Sequence, residues 1–199
     1  VTKTSQIPED NGQERIAPEQ ADALARELAS HDGFERERAR LALVEMGREA
    51  IPVLVATLSS KNEHVRWEAT KALSAIGDPE AGPVLVRLLE DDHGDIRWLA
   101  AEGLVNLEVE GLCHLLEALA QHSESVLIRT GAHHTIRQLI HCCEEIADEL
   151  MALLHALEGA TARADVPVLA RDALRRVNEL KTQGECCESP PHPKPGGES

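Results

Sequence analysis

The feature that most constrains this chain is that it repeats itself. The segment VRWEATKALSAIGDPE at 65–80 returns as IRWLAAEGLVNLEVE at 96–110. Weaker copies are RERARLALVEMG at 36–47, IRTGAHHTIRQL at 128–139 and VPVLARDALRRVN at 166–178. Arg36, Arg66, Arg97 and Arg129 mark the step, at spacings of 30, 31 and 32 residues. A period of this length is the signature of stacked units, none of which can bury its apolar face alone.

Inside the unit the slots have a physical logic. One small position reads Ala39, Ala69, Ala100, Ala132, Ala170, and three residues on comes Ala42, Ala72, Gly103, Thr135, Ala173. The next slot reads Leu43, Leu73, Leu104, Ile136, Leu174, and a turn later Met46, Ile76, Leu107, Leu139, Val177. Offsets of 0, 3, 4 and 7 put all four on one helical face, so each copy predicts a helix, termed B. A helix A precedes it, read at 18–30, 51–60, 82–90, 110–121 and 142–158. Pro18, Pro52 and Pro83 stand where a first-turn proline is tolerated, and Gly47 and Gly77 stand where a left-handed cap ends helix B.

Composition agrees. Aromatic residues make up 2% of the chain (Phe34, Trp67 and Trp98, with no tyrosine), and Ala and Leu carry the core. That bias favours helix over sheet. The formal net charge is −15, from 35 acidic against 20 basic residues, so general affinity for a phosphate backbone is not expected. No apolar run approaches the roughly 18–20 residues that span a bilayer. The five cysteines, two vicinal pairs plus Cys113, form no disulfide framework and point to a reducing cytoplasm. Val1 in place of methionine hints at a non-ATG bacterial start or a processed product.

The expected layout is a disordered tail at 1–16, a repeat domain at 17–181 and a disordered Pro/Gly-rich tail at 182–199. The repeats fall at about 18–47, 48–78, 79–108, 109–140 and 141–180.

The pattern V-R-x-x-A-x-x-A-L-x-x-I-G-D-P-E-A-x-P-V-L-x-x-L-L, met by residues 65–89, resembles the short HEAT-like repeat of the phycobilisome lyase type. The resemblance implies an all-α, right-handed α-solenoid of about five helix hairpins over 21–178. It is specific for fold and not for activity, because the family includes bilin lyase subunits, deoxyhypusine hydroxylase and adaptors. In deoxyhypusine hydroxylase, His-Glu pairs at this helix B slot hold a di-iron centre. Here the pairs are Trp67-Glu68, Trp98-Leu99 and Thr130-Gly131, and no His-Glu dipeptide occurs in the chain. The hydroxylase chemistry is thereby excluded, and no metal, cofactor or catalytic residue is expected.

Other clusters are weighed against their structural readings. The Arg slot (Arg36, Arg66, Arg97, Arg129) is expected to pair with an acid or a carbonyl of the adjoining unit. His133, His134 and His141 beside Cys142 and Cys143 lack metal-ligand spacing, since His134 and His141 lie two helical turns apart. Trp67 and Trp98 occupy one slot in successive repeats, so their rings lie side by side on the inner surface. The same face carries Lys71, Glu102 and His134, then Ser74, Val105 and Arg137. The expected site is therefore a partner-binding concave face formed by Trp67, Trp98, Lys71, Glu102, His134 and Arg137. The expected function is a non-catalytic protein-interaction scaffold or adaptor. The alternative is a lyase-like subunit or chaperone acting on a chromophore-carrying or other client protein.

Overall fold

A computed structural model describes residues 18–142, 144–159 and 161–184. These form ten α-helices in five hairpins: α1 (Pro18–Glu27) and α2 (Gly33–Met46), α3 (Ile51–Thr57) and α4 (Glu63–Ile76), α5 (Gly82–Leu88) and α6 (Gly94–Asn106), α7 (Glu108–Gln121) and α8 (Val126–Leu139), α9 (Ala147–Glu158) and α10 (Ala162–Gln183). There is no strand among the described residues. The all-α solenoid expected from the repeat is the observed fold. Both expected tails fall largely outside the described residues. Residues 182 and 183, however, belong to α10, which runs on until Gly184 caps it in the left-handed region.

The A-to-B turn is built on a shared plan in the first four repeats. Asp32, Asn62 and Ser125 accept a hydrogen bond from the backbone N–H of Phe34, His64 and Ile128, capping α2, α4 and α8. The arginine slot then locks the turn. Arg36, Arg66, Arg97 and Arg129 each donate through Nη1 to the carbonyl six residues back, on Ser30, Ser60, Asp91 and Ser123. That carbonyl lies in the arginine's own repeat, not in the adjoining one, because a helical first turn points the side chain back over the loop that precedes it. Contact with the next repeat is made by the other side of two guanidinium groups. Arg66 forms a two-point bond to Asp91 at 2.9 and 3.0 Å, and Arg36 approaches Glu68 at 3.4 Å.

The small slot does what close stacking requires. Ala39, Ala69, Ala100, Ala132 and Ala170 are fully buried, as are Leu43, Leu73, Leu104 and Ile136. One hydrophobic core runs from Ala21 to Leu180 without a break. Each fully buried leucine contributes roughly 2 kcal/mol relative to exposure. Where α7 turns off α6, a Cβ on Gly111 would lie 2.0 Å from the Leu104 carbonyl oxygen, so only glycine allows this approach.

Repeats one to four stack as expected, with α2, α4, α6 and α8 in contact in series along one layer. The fifth hairpin departs from that order. Its helix α10 packs along α7, and α9 packs along α8, so the last pair exchanges layers. Lys181 bonds Glu110 at 2.5 Å, Arg171 donates to the Ala120 carbonyl and Ser123 donates to the Arg163 carbonyl, which fixes α10 antiparallel to α7. The cause is in the sequence of α10. Val166, Ala170, Ala173, Val177 and Leu180 are all buried and repeat at alternating steps of four and three, a seam suited to one long antiparallel neighbour. At 14 residues each, α7 and α8 could both have served. The neighbour it takes is α7, which is buried through Leu112, Leu115, Leu116 and Leu119.

Candidate functional site

Three positions of each of the first four B helices lie on one side, at offsets of three and four residues. In α2 they are Phe34, Glu37 and Leu41, and in α4 His64, Trp67 and Lys71. In α6 they are Asp95, Trp98 and Glu102, and in α8 Leu127, Thr130 and His134. None of the twelve is buried. Because equivalent slots of stacked helices adjoin, they form one ribbon across four repeats.

The ribbon holds most of the site expected from the sequence. Trp67 is half-buried against the core edge, and Lys71 Nζ stands 4.7 Å from its ring centroid, a cation–π contact. Trp98 is 57% exposed. Glu102 and His134 meet across α6 and α8 at 2.6 Å. Arg137 is exposed one turn further on, but the row it shares is not a surface row throughout. Ser74 is buried in it, donating to the Leu99 carbonyl at 3.1 Å and filling the space beside Gly103.

The two tryptophans differ in role. Trp67 lines a cleft of about 360 Å³ at the N-terminal ends of α4 and α6, whose walls include Arg36, Glu63, His64, Glu68, His93, Asp95 and Ile96. Trp98 is not part of that cleft. Glu68 at its base is held by two guanidinium groups, with Arg40 at 3.0 Å and Arg36 at 3.4 Å. At the rim, His93 Nε2 meets Glu63 at 2.6 Å, tying α6 to α4. Asp95 has no ion-pair partner among the described residues.

Beside the cleft, Asp91 is pulled two ways. Burial pushes its carboxyl up, while the Arg66 bonds, the His93 backbone N–H and the guanidinium charge pull it down more strongly, so it lies below the ordinary aspartate value. Asp78, bonded by Arg48 and by the Glu80 backbone N–H, is held below its ordinary value in the same direction.

Sequence reasoning missed Phe34 (84% exposed), Leu41, Val126 and Leu127. The signal was available for three of them. Phe34 and Leu127 stand three residues before the tryptophan slot, and Leu41 four after it.

His133 and His134 turn to different helices, His133 to Glu158 at 2.8 Å and His134 to Glu102. Among the described residues no group of three or more His, Cys, Asp or Glu side chains is placed to hold a metal ion, and no helix is long and apolar enough to cross a membrane. Cys113 is buried in α7, and the vicinal cysteine pairs lie outside the described side chains.

Comparison with known proteins agrees with the fold. Residues 21–105 match the HEAT-repeat family. The structure is similar to the complex of CpcE and CpcF of phycocyanin lyase from Nostoc sp. PCC7120, with a TM-score of 0.52 at 22% identity over 81% of this chain and 99% of that one. Two engineered proteins align with TM-scores of 0.40 and 0.41, each at 20% identity. They cover 86% and 80% of this chain, and 83% and 48% of their own. No curated protein sequence matches. The repeated slots, the stacked hairpins and the family match converge: residues 21–105 carry HEAT repeats, and the fold they begin is an all-α repeat solenoid.

Proposed function

We propose that this protein is a non-catalytic scaffold that binds a partner protein along the ribbon of helices α2, α4, α6 and α8. One observation carries the reading. Of the seven large apolar side chains that the described structure leaves exposed, four (Phe34, Leu41, Trp98 and Leu127) occupy positions of this ribbon. A stacked array hides its apolar slots between units, so those left exposed along one ribbon have no structural use within the chain. Tryptophan in particular is enriched among residues that dominate binding energy. Mixed charge around the aromatic centre (Lys71, Glu102, His134) suits a polypeptide better than a polyanion, as does the net charge of −15.

The test replaces Phe34 and Trp98 by alanine together, since both are exposed and neither supports the core. The matched control is Glu117→Ala on the exposed side of α7. Partners recovered from the native host should fall by about 30-fold or more with the double variant, the scale of one interface hot spot, and stay unchanged with the control. Equal recovery of the same partners by both variants, at unchanged helicity, would overturn the reading.

A further inference from the structure

We infer that the cleft beside Trp67 receives an arginine side chain from the bound partner, so that the scaffold selects basic peptide segments. The inference rests on the ribbon being the binding face and names the chemistry it selects. Three features converge on the cleft.

The first is shape. A cleft of about 360 Å³ opens between the first turns of α4 and α6. It is larger than a guanidinium group needs and too small for a folded element.

The second is the aromatic wall. Trp67 already carries one cation, Lys71 at 4.7 Å from its ring, so the indole serves as a cation platform within this fold. A guanidinium is planar and weakly hydrated, and stacks on an indole more readily than an ammonium does.

The third is charge. Glu63, Glu68 and Asp95 line the cleft with Arg36, with His64 and His93 at the rim and Lys71 on the Trp67 ring. Glu68 is neutralised from below by Arg36 and Arg40, and Glu63 is bonded to His93, which leaves Asp95 as the carboxylate open to an incoming cation. An anionic ligand would have to approach the open Asp95 carboxylate on a chain of net charge −15. A cation is drawn by both the near and the far field.

The experiment uses the full chain and three capped pentapeptides: Gly-Leu-Arg-Leu-Gly, the same peptide with citrulline for arginine, and the same with glutamate. Citrulline keeps the shape of arginine and removes its charge. Indole N–H signals are followed by NMR, with Trp98→Phe assigning the remaining signal to Trp67. The arginine peptide should shift the Trp67 signal saturably and bind about 10-fold tighter than the citrulline peptide, an advantage that fades with salt. Asp95→Asn, an exposed change that leaves the core intact, should weaken arginine binding by about 5-fold. Equal response to arginine and citrulline, indifference to Asp95→Asn, or a shift confined to Trp98 would each overturn the inference. If the arginine peptide fails while the Phe34 and Trp98 variant still loses its partners, the scaffold stands and only the selection for arginine falls. If the arginine peptide binds while that variant keeps its partners, the cleft stands without the ribbon.

Discussion

Asp91 joins three jobs in one carboxylate. It accepts both bonds from Arg66, accepts the backbone N–H of His93 at 2.9 Å, and offers its own carbonyl to Arg97. A carboxylate held this way resists protonation until the pH falls below the ordinary value of 3.8. Its folded value is depressed, so the stability it adds is complete above the unfolded value and is lost as pH falls through the folded one. Asp91→Asn should therefore lower stability at neutral pH by about 2 kcal/mol, between an exposed and a fully buried pair. The gap to the parent should close as the pH drops below 3.8 in urea titrations; a gap independent of pH would show that the charge is not what matters. Glu108 is the opposite case, a residue working against its place. It sits at φ 52° in the slot where repeats one and two put Gly47 at 61° and Gly77 at 63°. Left-handed backbone costs a side-chain-bearing residue about 1–2 kcal/mol, partly offset by the added entropy of glycine when unfolded. Glu108→Gly should raise stability by about 1 kcal/mol, and a lower thermal midpoint would refute this. The arginine spacing was readable in the sequence because it is periodic. The carbonyl each arginine holds was not, since a backbone acceptor leaves no mark in a list of side chains.

At the scale of the element, periodicity predicted the helices and the stacking of the first four pairs, and missed the neighbours of the fifth. Five A–B pairs were legible from apolar slots and capping glycines, and the observed helices fall within a few residues of them. What the slots could not convey is that Ala170, Ala173 and Val177, which align with the B helices, dock on α7 instead. The same residue types serve either neighbour, so only length and seam distinguish them, and α10 is 22 residues long. Its interior proline makes the docking specific. Pro167 has no N–H to give the Arg163 carbonyl one turn earlier, and the Ser123 hydroxyl supplies a donor at 3.3 Å from the turn before α8. Ser123→Ala should cost about 1 kcal/mol in the parent, the net worth of one hydrogen bond. In a Pro167→Ala background the helix satisfies its own carbonyl, and the same change should cost close to nothing. A double-mutant cycle with no coupling between the two sites would mean that the hydroxyl and the proline act separately.

The whole molecule behaves as a chain of nearest neighbours, in which a local weakness spreads only to the units in contact with it. In an array without the layer exchange, loosening the fifth hairpin would expose α8 through its B-to-B contact. Here α10 lies on α7, so the disturbance should travel to α7 first. Val177→Ala removes two buried methyl groups from the α10 seam and should destabilise the terminal hairpin by about 2 kcal/mol, counting transfer and cavity together. Native-state hydrogen exchange is the measurement, because it resolves partial opening element by element. Amides of α7 around Leu112, Leu115, Leu116 and Leu119 should lose protection together with α9 and α10. Those of α4 should keep theirs, and α8 should respond less than α7 because α4 and α6 continue to hold its layer. Faster exchange in α8 than in α7 would mean that the fifth hairpin stacks in register like the other four. The ribbon of exposed apolar residues would then continue onto α10 through Val168, and the binding surface would have to be redrawn one helix further along the array.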